Sequence, residues 1–119
     1  MNKEQILEQI RKQNGSIPKP LANLAELDLR ILGDFLANKK NVYSGTELDM
    51  KVKALIALGV GIALDSQGCI MNNIQVAKKN GATSEEIMEA YSVAMFSKSS
   101  SAISGFVNAT DWLIQNKEI

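Results

Sequence analysis

The run "ALIALGVGIAL" at residues 54–64, followed at once by "DSQGCIMNN" at 65–73, decides how the chain folds. A bilayer-spanning helix needs about 20 apolar residues, whereas runs of about 10–14 are typical of buried core helices. The run therefore predicts a central core helix that stops at a polar break around Asp65 to Gly68. Upstream, Thr46 and Asp49 in "SGTELDMKVK" have the spacing of a helix start, with a hydroxyl for an orphan N–H and acids near the positive end. Downstream, Ile70, Ile74 and Ala77 recur at helical spacing, and Asn80-Gly81 is a stop because glycine takes the left-handed cap conformation readily.

The same periodicity extends in both directions. In "ATSEEIMEAYSVAMF", Thr83 and Glu86 form a capping box that opens a helix predicted to reach about Ser97. The segment "SSSAISGFVNATDWLIQN" predicts a last helix with Ile103, Phe106, Val107, Thr110 and Ile114 on its buried side. Toward the N-terminus, "NKEQILEQIRKQNG" places Ile6, Leu7 and Ile10 on one stripe before Gly15 and the Pro18–Pro20 break. Then "LANLAELDLRILGDFLANKK" carries Leu24, Leu27, Ile31, Leu32 and Phe35 as one helix ending near Asn38. No segment alternates with period two long enough to make a strand. The expectation is an all-α fold of about six helices in a single domain over 1–119.

Composition limits the function. Of 119 residues, 13 are basic and 13 acidic, so no net field draws a nucleic-acid backbone or an anionic membrane. Lys39-Lys40 and Lys78-Lys79 read as solvated helix ends, where cations meet the negative end of the dipole. One cysteine cannot form an internal disulfide, and no charged, apolar, small-residue leader opens the chain, so a cytoplasmic protein is expected. With no histidine and one thiol, a transition-metal site would need carboxylates alone, and neither a metal nor a cofactor is expected. Met71, Met88 and Met95 are assigned to core or subunit contacts. Glu85, Glu86 and Glu89 are accounted for by capping and a solvated helix face.

Cys69 directly follows Gly68, where a new helix should start. Thiolates gain stability from the unpaired N–H groups and positive dipole end found there. Ser66, Cys69 and Asn73 lie at relative positions zero, three and seven, hence on one face. Ser66 and Asn73 are then near enough to hydrogen-bond an oxidised sulfur. The competing reading is packing, since free cysteine often serves as a small buried hydrophobe.

The run "TELDMKVKALIALGVGIALDSQGCIMNNIQVAKKNGATSEEIMEA", Thr46 to Ala90, resembles the carboxymuconolactone decarboxylase and alkyl hydroperoxidase D-like (AhpD-like) family, with "NGATSEEIMEA" its most specific piece. The resemblance implies an all-α homo-oligomer, trimeric or hexameric, with its site near subunit contacts. In the peroxidase branch, two cysteines of a CxxC turn cycle between dithiol and disulfide, helped by a histidine four residues on and a glutamate in the preceding helix. Here Cys69 matches the second cysteine, Ser66 the first, Asn73 the histidine and Ala54 approximately the glutamate.

Serine cannot resolve a sulfenic acid as a disulfide and alanine cannot relay a proton, so the two-cysteine cycle cannot run within one subunit. Three readings follow from the resemblance. The preferred one is a Cys69-dependent thiol oxidoreductase with peroxidase-like (peroxiredoxin-type) activity, regenerated by an external thiol or a second subunit's Cys69. A lyase acting on a small lactone acid is the second, and a catalytically degenerate oligomer that binds a small molecule or a partner is the third.

Overall fold

In the computed structural model, which describes residues 1–119, the chain is entirely helical, with seven helices and no strand. They fall into two compact units, Met1–Gly45 and Thr46–Ile119. The first unit holds α1 (Lys3–Asn14), α2 (Lys19–Leu27) and α3 (Leu29–Val42), and the second holds α4 (Met50–Ala63), α5 (Gln67–Lys79), α6 (Ser84–Gly105) and α7 (Val107–Gln115).

In the first unit, α1 is opened by a capping box between Asn2 and Gln5 and closed by Gly15 in the left-handed conformation. Ile6 and Ile10 pack with Ala25 and Leu32 to form its core, so the predicted stripe of α1 is the one buried. The segment expected to be one helix from Leu21 to Asn38 is two. Asp28 is extended (φ −158°, ψ 93°), and its carboxylate accepts the N–H groups of Arg30 and Ile31. A short acid that caps its own downstream N–H groups offers the backbone an alternative to continued helix. The break leaves Leu27 exposed while Leu32 is fully buried. The second of these helices also runs on to Val42, past the expected end.

In the second unit, α4 is the central helix that the apolar run predicts. Ala54 and Leu58 are buried with Ala77 of α5, Ala82 of the following turn and Ile87 of α6. Its N-cap is Asp49, which accepts the N–H of Val52 at 2.9 Å, rather than Thr46. Both are sound capping residues, and Asp49 adds negative charge at the positive end of the dipole. The stop after α5 falls where expected, with Gly81 at φ 93°.

The capping box at α6 is present in full: Glu86 N–H to Thr83 Oγ1 at 3.0 Å, and Thr83 N–H to Glu86 Oε1 at 2.9 Å. This helix continues to Gly105, beyond the expected end near Ser97. A serine run costs only tenths of a kcal/mol per residue in a helix, unlike proline, so Ser99–Ser101 does not stop it. The bend comes at Phe106, whose N–H reaches the carbonyls of Ile103 and Ser104. At 1.5 Å per residue, the 22 residues of α6 span about 33 Å against about 21 Å for the 14 of α4.

The far end of α6 and all of α7 thus extend past the core. Ile103, Phe106, Val107, Thr110 and Ile114, expected on a buried side, are exposed, and α7 buries none of its residues. Met71, Met88 and Met95 are likewise more than half exposed and do not fill the core. No helix is long and apolar enough to cross a membrane.

Glu86 has a second partner that sequence reading did not find: Lys51 of α4 donates to its Oε2 at 2.9 Å. The Lys51 hydrogen bond, then the Thr83 N–H, holds the Glu86 carboxyl below the usual glutamate value, and Glu86 in turn raises Lys51. For a carboxyl so depressed, the stabilisation is complete above the unfolded value of about 4.3 and is lost as pH falls through the lower folded value. The raised Lys51 behaves oppositely, contributing below the unfolded lysine value of about 10.4 and fading above it. Urea midpoints of the wild type and Glu86→Gln should therefore differ by a constant amount near neutrality, and the gap should close in acid. A gap that persists to the lowest pH would assign the effect to lost packing instead.

Candidate functional site

The single cysteine lies just past the turn between α4 and α5, in the first turn of α5. Asp65 adopts φ 55°, the left-handed region that aspartate tolerates better than most residues. The N–H of Ser66 then reaches back to the Gly61 carbonyl at 2.9 Å, while that of Asp65 reaches Ile62 at 3.1 Å. Gly61 has a second duty. A Cβ there would lie 3.2 Å from the Cys69 Cβ and 3.3 Å from the Ile70 nitrogen, so glycine permits α4 and α5 to meet at the cysteine. The apolar run hides this role, because a glycine among alanines and isoleucines carries no turn signal.

Ser66 is the N-cap of α5, which starts at Gln67, two residues before the position expected from Gly68. Its Oγ accepts the N–H of Cys69 at 3.5 Å, a long bond. Cys69 is the third residue of the helix, where N–H groups have no intrahelical acceptor, and its thiol is free and exposed. Asn73 Nδ2 donates to the Cys69 carbonyl at 2.8 Å. The structure therefore brings Ser66, Cys69 and Asn73 together as the spacing implies. Each polar neighbour holds the cysteine's backbone, which leaves the Ser66 hydroxyl proton and the Asn73 Oδ1 uncommitted by these bonds. Ala54, at the position of the family glutamate, is 1% exposed in the core and brings no proton relay.

Two further features border this turn. Lys98 of α6 donates to Asp65 Oδ2 at 2.8 Å, tying the turn to α6 across 33 residues of sequence. An open apolar groove of about 900 Å³ lies between α4 and α6, lined by Ile56, Val60, Val93 and Ala94, with Glu86, Glu89 and Lys98 contributing its charges. A smaller cavity of about 330 Å³ sits at the junction of α4, α5 and α6, on the side to which Ile70 and Ile74 belong. Nothing in the sequence pairs Asp65 with Lys98, since each reads alone as a solvated charge.

The unit is all-helical, with its thiol in the first turn of the capped helix that follows the core helix. The chain belongs to the carboxymuconolactone decarboxylase family, whose pattern it matches over residues 32–112. It is also 39% identical over 82 residues to "Uncharacterized protein 4 in cox locus" of Paracoccus denitrificans, a match that covers 66% of this chain and 74% of the relative.

Proposed function

We infer that the chain is a one-cysteine thiol oxidoreductase with peroxidase-like activity, and the observation that carries this is the exposed thiol of Cys69 in a capped helix start. Free cysteines that only pack are normally buried. In the first step the Cys69 thiolate attacks one peroxide oxygen. The S–O bond forms as the O–O bond breaks, and the leaving oxygen departs as water or alcohol with a proton from solvent. Sulfur is thereby oxidised by two electrons to a sulfenic acid. The Ser66 hydroxyl then donates to the sulfenic oxygen, and Asn73 Oδ1 accepts its proton.

An external thiol next attacks the oxidised sulfur, expelling water and forming a mixed disulfide. A second thiol attacks that disulfide, releasing Cys69 and an oxidised low-molecular-weight disulfide. The sum is two thiols and one peroxide giving one disulfide, water and water or alcohol. The working form is a homo-oligomer: Phe96, Ile103, Trp112 and Ile114 of α6 and α7 leave more than half their surface to water, and a second copy of the chain would cover them.

The test is thiol-dependent reduction of hydrogen peroxide and of an alkyl hydroperoxide, with rates proportional to protein concentration as the expected result. No turnover with either oxidant would contradict the reading. Turnover of a small lactone acid that survives loss of Cys69 would replace it with the lyase.

A further inference from the structure

We propose that the cavity at the junction of α4, α5 and α6 binds a small apolar carboxylate, its hydrocarbon body between the helices and its charge on Lys98. The inference stands on the cavity and does not depend on chemistry at Cys69. The volume, about 330 Å³, is at the lower end for small-molecule pockets, which are mostly apolar with a few polar groups that fix orientation. The walls have that character: Ile62 comes from α4, Ile70 and Ile74 from α5, and Tyr91 from α6, while Lys98 and Asp65 are the charged members of the lining.

Charge selects the class of ligand. An ammonium has three donors, and Asp65 takes one of those of Lys98. The Asp65 side chain is 81% exposed, so it can turn to water at small desolvation cost when another carboxylate arrives. A ligand acid gains what Asp65 cannot, because its apolar body leaves water as its head group meets Lys98. Of the pair, Lys98 is the more enclosed, its side chain 45% exposed against 81% for Asp65, so a head group inside the cavity meets the ammonium rather than the carboxylate, and a neutral molecule forgoes the ionic contact.

Calorimetric titration with 4-phenylbutyrate and with 4-phenylbutan-1-ol, which differ in the charged end, tests the proposal. The wild type should bind the acid about tenfold tighter than the alcohol, the effect of one charge-assisted hydrogen bond. Lys98→Met should make the two equal, and Asp65→Asn, which keeps a residue tolerant of the left-handed turn, should tighten the acid. Met88 lines the cavity from an exposed position, so Met88→Trp should fold and weaken both ligands. Val93→Trp, in the larger groove between α4 and α6, which shares only Lys98 with the cavity, should change neither. Equal affinities in the wild type, no binding, or loss of binding in Val93→Trp alone would overturn the proposal. So would affinity that falls as protein concentration rises, which would make a second copy the occupant.

Discussion

Cys69→Ser will reduce thiol-dependent peroxide turnover to the uncatalysed rate while leaving the fold intact. The expectation follows from the balance of the reaction. The chain has one cysteine, and its five methionines, which peroxide also oxidises, are returned from the sulfoxide only by a dedicated reductase and not by a simple thiol. The side chain is exposed, so serine creates no cavity and breaks no buried contact. Its backbone N–H still meets Ser66, and its carbonyl still meets Asn73.

The two neighbours should behave differently from the cysteine. Ser66→Ala and Asn73→Ala each remove one hydrogen bond to the sulfenic acid, worth about 0.5–1.5 kcal/mol, so each should slow turnover by up to about tenfold. Ser66→Ala should also cost about 1 kcal/mol of stability through loss of the cap. Activity retained in Cys69→Ser would remove the thiol from the mechanism. Equal losses in all three variants would mean that the turn, rather than the sulfur, is what matters.

Leu58→Ala should lower the unfolding free energy by about 2–5 kcal/mol, the range for deleting a fully buried leucine. Leu58 is 1% exposed at the centre of α4, packed in the cluster that includes Ala54, Ala77 and Ile87. Three of the five buried members of that cluster are alanines, so Leu58 and Ile87 supply much of its buried apolar volume. Leu27→Ala, at the exposed break between α2 and α3, should stay within about 0.5 kcal/mol of the wild type. Urea unfolding at fixed protein concentration separates the two. A Leu58 variant as stable as the Leu27 variant would mean that α4 is not the core of its unit.

The parts of the fold visible in the sequence were those fixed by local signals: the apolar run of α4, the Thr83–Glu86 box, and the stops at Gly15 and Asn80-Gly81. Each is decided within a few residues by periodicity or capping. Asp28 escaped because the apolar spacing of Leu24, Leu27, Ile31 and Leu32 runs through it in phase, and only its own hydrogen bonds show the break. The burial expected of α7 failed for a different reason. Its apolar stripe is real, but none of its residues is buried against the rest of the unit.

The site divided in the same way. Ser66, Cys69 and Asn73 were legible because seven residues of helix bring them onto one face. Gly61 was not, since its role depends on how closely a second helix approaches. The Asp65–Lys98 and Lys51–Glu86 pairs join positions more than thirty residues apart, and no local pattern encodes them.

The most direct measurement is the intact mass of the native protein after one equivalent of peroxide and then excess glutathione, with peptide mapping of the product. The account predicts one glutathione per chain, attached at Cys69 and removed by further thiol. A chain of unchanged mass, with the peroxide unconsumed, would contradict it.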